Sequence, residues 1–259
     1  PLDVNTHQFT DIVLGGALGG YTADSNPGLP TRIAIFNPTN DWTRVMLIRV
    51  IPEIYTAYNK LKVNSDDEVA LALAEVIRVA AVHRVTDTYG PVPYSQIGAD
   101  DALTSPYDSQ QAVYERLFEE LDGALTVLRN HSAETIKAAS DKIYAGDLSK
   151  WVRFANSLKL RMAMRLSYVK PDIARAKAAE AIAGGIITVN ADNAAMHAAE
   201  NRMTLIYNDW GDHRVGADII SYLDGYDDPR LEKMFLPNDK GDYVGIRIGI
   251  DVTSKSQAQ

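Results

Sequence analysis

The sequence contains no cysteine among its 259 residues. A disulfide framework, a thiolate nucleophile and a cysteine-ligated zinc or iron–sulfur site are therefore excluded. No apolar run approaches the roughly 20 residues that a membrane-spanning helix requires. The chain also lacks a basic patch, since its 26 lysine and arginine residues are dispersed and its net charge is −8. Such an acidic protein is not expected to bind nucleic acid or an anionic membrane surface.

Motifs for catalysis and cofactor binding are missing as well. Histidines stand only at positions 7, 83, 131, 197 and 213, and the sequence contains neither H-E-x-x-H nor G-x-S-x-G. The glycines within Gly15–Pro30 do not have the spacing of a dinucleotide or phosphate loop. The oxygen-rich segment Pro237–Tyr243 lacks the spacing and the final glutamate of a calcium loop. The sequence therefore predicts no catalytic residue, no cofactor and no metal ion.

The composition is that of a folded protein. A hydrophobic fraction of 46% in a chain of 259 residues can form the core of one large or two ordinary domains. The chain begins at Pro1 and not at Met, which is the pattern expected of a protein whose targeting segment has been removed.

Helical periodicity dominates residues 41–185. Five stretches carry apolar residues at spacings of three and four, the pattern of an amphipathic helix. Asp41, Asp108 and Asp147 stand at predicted N-termini, and Gly90 and Gly184 follow predicted C-termini. The predicted helices cover about residues 41–61, with a bend at Pro52, and then 66–89, 108–130, 147–169 and 171–183. This order is typical of stacked helical hairpins of the tetratricopeptide type, although the consensus signature of that repeat is irregular here.

The apolar stripes predict which side chains form the core. Leu117 and Leu121 repeat on the third helix, and Trp151, Leu158 and Met162 repeat on the fourth. We therefore expect these side chains to be buried together. Other residues that the stripes assign to the core include Trp42, Ile48, Ile77 and Val169.

Regular periodicity is lost on both sides of this region. Residues 1–40 are rich in glycine, proline, asparagine and threonine, which predicts irregular structure. Residues 186–259 are less periodic, with one or two short helices predicted within Ser221–Pro237 and a short strand predicted at Tyr243–Val252.

A cluster of side chains suited to sugar binding lies in this second region. Tyr207, Asn208, Asp209, Trp210 and Arg214 occur within eight residues that have no clear period. Sugar rings present apolar C–H faces that stack on aromatic rings, and their hydroxyl groups require amide and carboxylate partners. The segment is therefore a candidate ligand site. The alternative is a loop tryptophan that packs against a helix end.

A second candidate lies near the N-terminus. Tyr21, Asp24 and Asn26 supply one ring and two polar groups beside glycines that allow a ligand to approach the backbone. The same residues also fit an ordinary turn, which is the alternative interpretation.

Four motifs occur in the order and approximate spacing of a known family. They are TDTYGPVPYSQ, YDSQQAVYERLFEELDGAL, YAGDLSKWVRFANSLKLRMAMRLS, and YLDGYDDPRLEKMF followed by YVGIRIGI. Together they resemble the SusD/RagB family over about residues 41–250. Members of that family are surface lipoproteins of Bacteroidetes that bind glycans, or peptides in some branches, beside a TonB-dependent outer-membrane transporter.

The resemblance implies a mainly α-helical fold. It consists of a right-handed superhelical scaffold of tetratricopeptide-like hairpins, minor β-structure and an irregular ligand-side region. We expect one SusD-like domain over residues 1–259, which is partial because family members are considerably longer. Its expected parts are an irregular segment (1–40), the helical scaffold (41–185) and the loop-rich ligand-side region (186–259). The YGPVPYS loop would connect the second scaffold helix to that region, and its prolines restrict the chain.

The same resemblance implies a function. We expect a non-catalytic, surface-exposed lipoprotein of the outer membrane that binds glycan and has a SusC-like transporter as its partner. Membrane contact is expected only through a lipid anchor that lies outside this chain. A peptide-binding or protein-binding helical adaptor is the first alternative. A glycoside hydrolase is the second, because acidic pairs such as Asp227–Asp228 are abundant.

Overall fold

The computed structural model describes residues 4–28, 44–97, 104–196 and 204–255. Its α-helices are α1 (Val4–His7), α2 (Ile51–Asn64), α3 (Glu68–Tyr89), α4 (Gln110–Asn130), α5 (Leu148–Arg165), α6 (Pro171–Ala183), α7 (Ala217–Gly225) and α8 (Leu231–Met234). Its strands are β1 (Thr22–Asp24), β2 (Val92–Pro93), β3 (Tyr107–Asp108) and β4 (His213–Val215). Gln8–Gly16, Met46–Val50 and Leu205–Trp210 are π-helical, and Ala138–Ser140 and Asn190–Asp192 are short 3₁₀ helices. The predicted mainly α-helical fold is confirmed.

The chain divides into two compact units. We call residues 46–197 the helical unit, because they contain α2 to α6. We call residues 1–45 and 198–259 the paired-strand unit, because β1 and β4 pair within it. Asp41 and Trp42, with which the first predicted helix begins, lie outside the described residues.

Local capping interactions define the helix ends of the helical unit. The Asp67 carboxylate accepts a hydrogen bond from the backbone N–H of Ala70, and the Asp147 carboxylate accepts one from Lys150. Gly90 ends α3 with a φ of 75°, a conformation that favours glycine. Because these interactions span only a few residues, the sequence predicted both ends of α3 and the start of α5 to within two residues. At α4 the cap is Ser109 and not the predicted Asp108, and α5 ends at Arg165, before the predicted end at residue 169.

The core of the helical unit lies between its packed helices. Helix α3 packs on α4, α4 on α5, and α5 on α6, as expected for tetratricopeptide-like helix pairs. The side chains of Leu117, Leu121, Trp151, Leu158 and Met162 are all buried in one cluster, which confirms the predicted core. Burial of a leucine side chain contributes about 1.5–3 kcal/mol to stability, so this cluster is a main source of the stability of the unit.

Three of the stripe assignments were wrong. Ile48 is 47% exposed and lies in the π-helical segment Met46–Val50, where the spacing of an α-helix does not hold. The Val169 side chain is 70% exposed, because α5 ends at Arg165 and the helical stripe does not continue to position 169. Ile77 is 47% exposed because it shares the narrow outer face of α3 with Arg84 and Thr88, while the rest of that helix is largely buried.

The YGPVPYS loop is held to the helical unit by a buried arginine. The Arg78 side chain on α3 pairs with Glu120 on α4 at 2.9 Å. Its guanidinium carbon lies 5.6, 4.8 and 5.4 Å from the ring centroids of Tyr55, Tyr58 and Tyr94. Tyr94 belongs to the loop, and β2 of the same loop pairs with β3. Cation–π contacts and a strand pair therefore fix the loop that the prolines were expected to restrict.

The paired-strand unit departs from the sequence predictions at two places. Residues 4–16 are helical, where the composition indicated irregular structure. The strand predicted at Tyr243–Val252 does not form, and Ile246 makes only an isolated bridge with Gly216. Gly249 has a φ of 82°, a left-handed conformation that interrupts an extended strand. The short helices predicted nearby are α7 and α8.

Candidate functional site

The two segments that the sequence singled out lie side by side in the paired-strand unit. Strand β1 pairs with β4 in antiparallel orientation, with Ala23 opposite Arg214 and Asp24 opposite His213. The structure therefore joins the segment that contains Tyr21 to the segment that contains Trp210.

The Asp212 side chain, which is 7% exposed, links the paired segments by hydrogen bonds. One of its carboxylate oxygens accepts a hydrogen bond from Gln8 Nε2 at 2.8 Å, and the other accepts one from Asn26 Nδ2 at 2.6 Å. Lys255 Nζ lies 3.2 Å from the second oxygen. The backbone N–H of Ser25 donates to the Asp212 carbonyl at 3.1 Å. A buried carboxylate with these partners holds three separate parts of the chain together.

The Trp210 segment is a short π-helix that ends at a left-handed glycine. Gly211 has a φ of 61°, and the backbone N–H of Asp212 then donates to the Ile206 carbonyl at 3.2 Å. Ile206 is fully buried and anchors the segment. The Trp210 side chain is half-buried, and its carbonyl accepts a hydrogen bond from Lys255. The indole thus keeps an exposed part on an anchored backbone.

Arg214 is engaged within the site. Its guanidinium carbon lies 4.5 Å from the ring centroid of Tyr207, and its Nη1 donates to the Tyr207 and His213 carbonyls at 3.0 and 2.8 Å. Tyr207 remains 39% exposed, although the guanidinium covers one ring face. Arg214 therefore positions the tyrosine, and a ligand that needs the cation must compete with these contacts.

The remaining predicted residues differ in their availability. Asn208 and Asp209 are exposed, and Tyr21 is 57% exposed. Asn26 is half-buried, and its amide is used by Asp212. Asp24 is half-buried in β1. The exposed aromatic rings can stack on a sugar ring. The exposed amide and carboxylate groups can form hydrogen bonds with its hydroxyl groups. The ligand-binding role of each residue stays a prediction.

The sequence did not indicate Asp212, Gln8 or Lys255 as members of this site. Their roles depend on contacts between residues that are far apart in the chain, and Gln8 lies 204 positions from Asp212. The one local signal was the polar WGD sequence within a segment already selected for its tryptophan.

A separate groove of about 870 Å³ lies in the helical unit. Tyr114, Phe118 and Met164 contribute apolar surface, while Arg161 and Lys170 contribute positive charge. Tyr114 Oη donates to Asp87 at 2.6 Å. Burial, followed by this hydrogen bond to the carboxylate, raises the pKa of Tyr114, so the hydroxyl stays protonated.

The described residues contain no group of three or more histidine, aspartate or glutamate side chains that could hold a metal ion. None of the helices in the described ranges has both the length and the apolar character that a membrane-crossing segment needs.

Comparison with known proteins places this geometry in a family. The family model described as SusD-like, for the Susd and RagB outer membrane lipoproteins, matches residues 1–259. No curated protein matches the chain. Solved SusD homologues do match it. One from Bacteroides thetaiotaomicron is 40% identical with a TM-score of 0.88, and the match covers 99% of this chain and 54% of that protein.

Two further structures give the same result. A SusD homologue from Bacteroides uniformis is 44% identical with a TM-score of 0.85, over 97% of this chain and 55% of that protein. A chitin-binding SusD homologue from Flavobacterium johnsoniae is 31% identical with a TM-score of 0.85, over 98% of this chain and 55% of that protein. The chain thus spans about half the length of these relatives. By its sequence motifs, its helix pairs and these matches, the chain belongs to the SusD-like family of outer membrane lipoproteins.

Proposed function

We propose that this protein is a non-catalytic glycan-binding protein of the bacterial outer membrane surface, which delivers its ligand to a SusC-like TonB-dependent transporter. The observation that carries the glycan site is the pairing of β1 with β4, which places Asp24 and Asn26 beside the Trp210 segment, while Tyr21 lies at the other end of the strand pair, opposite Gly216. The membership of the family supports carbohydrate binding, an outer membrane location and a transporter partner as parts of this proposal.

The chemistry of the paired segments fits a sugar. The half-buried Trp210 indole and the exposed part of Tyr207 offer ring surface for C–H groups. Asn208 and Asp209 are exposed beside them and offer amide and carboxylate groups for hydroxyl hydrogen bonds. Asp212 and its partners hold the backbone in place, so little conformational freedom has to be lost on binding.

The chitin-binding relative suggests which glycan to try first. That protein is 31% identical to this chain, and chitin is a neutral polymer of linked amino-sugar rings with acetylated nitrogens. Neutral rings suit a site that offers aromatic surface and whose arginine is already engaged with Tyr207. Chitin oligosaccharides are therefore the first ligands to test.

Isothermal titration calorimetry with soluble chitin oligosaccharides tests the proposal. Wild-type protein should bind, and the Trp210→Ala variant should lose about tenfold or more in affinity, because aromatic anchors commonly contribute about 2 kcal/mol or more. Tyr107→Ala is a matched control, since it removes an aromatic side chain that is 64% exposed in the helical unit and does not line the groove. Affinity should change little between low and high salt, because stacking and neutral hydrogen bonds carry little charge. Equal affinities of wild type and Trp210→Ala would show that Trp210 does not contact the ligand.

A reducing-sugar assay on the same samples tests for catalysis. We expect no release of reducing ends, because the sequence contains no catalytic motif that would position an acid and a base. Steady product release in proportion to enzyme concentration would place the protein among the hydrolases.

The groove of the helical unit favours peptide or protein binding as the second candidate function. Its apolar wall includes Met164, which is 57% exposed, and the three basic residues of its lining outnumber the two acidic ones, Asp87 and Glu115. An extended acidic peptide would match both features. Fluorescence anisotropy with a labelled acidic peptide distinguishes the two functions, because Arg161→Ala should weaken peptide binding and leave chitin oligosaccharide binding unchanged.

A further inference from the structure

Helix α7 and the residue that follows it carry two solvent-exposed tyrosine side chains on one side. Tyr222 and Tyr226 are 66% and 79% exposed, respectively. They are four residues apart, which places them on the same side of the helix. The opposite side buries Ile220 and Leu223 against the rest of the paired-strand unit. The helix is therefore anchored on one side and displays aromatic rings on the other.

The two rings have a regular arrangement. Their planes differ by only 5°, and their centroids are 6.5 Å apart. Rings stacked directly face to face would be separated by about 3.5–4 Å, the contact distance of carbon atoms. Neither ring of Tyr222 and Tyr226 is thus fully covered by the other, and both side chains keep solvent-exposed surface.

Carboxylates surround this aromatic pair. Asp218 lies one turn earlier on the same helix face, and Asp224 and Asp227 flank the rings along the chain. All three are exposed and, within the part of the chain that the structure describes, none forms an ion pair. The next acid differs, because hydrogen bonds from Arg230 lower the pKa of Asp228 to about 2. The surface therefore carries uncompensated negative charge beside the rings.

The backbone next to the second tyrosine is strained. Asp227 has a φ of 49°, which residues other than glycine rarely adopt. Its N–H donates to the Asp224 carbonyl at 3.0 Å, and the N–H of Asp228 donates to the Leu223 carbonyl at 2.8 Å. These hydrogen bonds hold the turn that follows Tyr226. Strain of this kind persists where surrounding contacts determine the conformation, and it is often found at binding sites.

The aromatic pair adjoins the β1 segment. The carbonyl of Gly20 accepts a hydrogen bond from the N–H of Ile219 at 3.1 Å, and an added Cβ at Gly20 would lie 3.1 Å from the Cβ of Asp218. Tyr21, which is 57% exposed, therefore lies just before β1 and beside the first turn of α7. Exposed tyrosines therefore lie near both ends of α7, with Tyr21 beside its first turn and Tyr222 and Tyr226 at its last turn.

We propose that Tyr222 and Tyr226 form a second carbohydrate-contact surface, which takes a neutral polysaccharide chain and disfavours acidic polysaccharides. The inference rests on the proposed function, since it extends glycan contact beyond the Trp210 segment. Exposed tyrosine rings stack on the C–H faces of a glycan, and the free carboxylates accept hydrogen bonds from its hydroxyl groups. The same carboxylates repel uronate or sulfate groups.

The test compares binding of polymeric chitin with that of polygalacturonate, a polymer of uronate groups. A Tyr222→Ala, Tyr226→Ala double variant should bind insoluble chitin at least about tenfold more weakly than wild type in a depletion assay, because two aromatic contacts are lost. The Tyr222→Phe, Tyr226→Phe double variant keeps the rings and should retain most of the affinity. Tyr107→Ala serves as the control for loss of an exposed tyrosine. Circular dichroism establishes that each variant is folded.

The outcomes separate this inference from the proposed function. If wild type binds chitin, Trp210→Ala weakens binding and the double alanine variant binds like wild type, the second surface is refuted and the proposed function stands. If wild type binds no glycan, both are refuted. Tighter binding of polygalacturonate than of chitin would overturn the assignment to neutral chains. We expect the opposite, with replacement of Asp218, Asp224 and Asp227 by asparagine raising the affinity for polygalacturonate.

Discussion

The indole nitrogen of Trp151 donates a hydrogen bond to Oδ2 of Asp141 at 2.8 Å. Asp141 also accepts hydrogen bonds from the backbone N–H groups of Ile143, Tyr144 and Gly146 at 2.9, 3.1 and 2.9 Å. One carboxylate therefore organises the loop that leads into α5 and fixes the orientation of the tryptophan in the core.

Removing Trp151 should be strongly destabilising. The side chain is 3% exposed and makes edge-to-face contacts with Tyr144 and Phe154, at centroid distances of 5.4 and 5.8 Å. Trp151→Ala is expected to lower the free energy of unfolding by about 3–5 kcal/mol in urea titrations. Trp151→Phe keeps most of the packing and removes the N–H, so it should cost about 1–3 kcal/mol. A loss below about 1 kcal/mol for the alanine variant would contradict the assignment to the core.

The stability that Asp141 provides should depend on pH. Burial acts to raise the pKa of its carboxyl group, but the hydrogen bonds from Trp151 and from the loop backbone outweigh this and lower the pKa below its ordinary value. In the unfolded chain, the pKa returns to about 3.9. The carboxylate therefore stabilises the fold above that pH, and this stabilisation declines as the pH falls towards the folded-state pKa.

Asp141→Asn provides the measurement. The difference in free energy of unfolding between wild type and this variant should be largest above about pH 5 and should shrink as the pH falls below about 4. Denaturant titrations at a series of pH values report it. Parallel stability curves for the two proteins down to pH 3 would contradict the prediction.

Features of the fold that depend on neighbouring residues, such as helix starts, could be predicted from the sequence. Contacts between residues far apart in the chain could not. The start of α3 follows from the hydrogen bond between Asp67 and Ala70, which are three residues apart. The pairing of β1 with β4 joins strands of three residues each, too short to show an alternating pattern. Its principal side-chain link, Asn26 to Asp212, spans 186 positions. The sequence therefore indicated Trp210 and Tyr21 separately, by residue type, but it did not show that their segments meet.

Tyr222 and Tyr226 illustrate a different limit. Their spacing of four was visible, but aromatic residues at helical spacing more often face a core than solvent. Only the burial of Ile220 and Leu223 on the other side of α7 shows that the tyrosines point outwards.

Substitution of Gly146 should reveal a steric constraint in the Asp141 loop. Gly146 has a φ of 93°, and an added Cβ would lie 2.2 Å from the carbonyl oxygen of Ile136. Gly185 is the matched control, because it has a φ of 85° and no atom within 4 Å of an added Cβ. Gly185→Ala should cost about 1–2 kcal/mol for the left-handed backbone alone. Gly146→Ala should cost about 1–3 kcal/mol more, because the clash is with backbone. Equal losses in thermal or urea unfolding would show that the loop relaxes without cost.

Asp212 should control both the stability of the paired-strand unit and its affinity for ligand. Asp212→Asn replaces one of two acceptor oxygens with an NH₂ group, which cannot accept from Gln8 or Asn26 and does not attract Lys255. We expect a loss of about 1–3 kcal/mol in stability, since a buried donor is left without its acceptor. Asp239→Asn, at an exposed position of the same unit, is the control and should unfold like wild type.

The effect of Asp212→Asn on ligand binding follows from its position. Both carboxylate oxygens accept hydrogen bonds from protein side chains, and the residue thereby holds the Tyr21 and Trp210 segments together. Calorimetry with chitin oligosaccharides, at a temperature where the variant is fully folded, should therefore show weaker binding. The loss should be smaller than that of Trp210→Ala, because the aromatic groups remain and only their fixed placement is relaxed. Unchanged affinity in a variant with a lowered Tm would mean that the strand junction supports the fold and not the site.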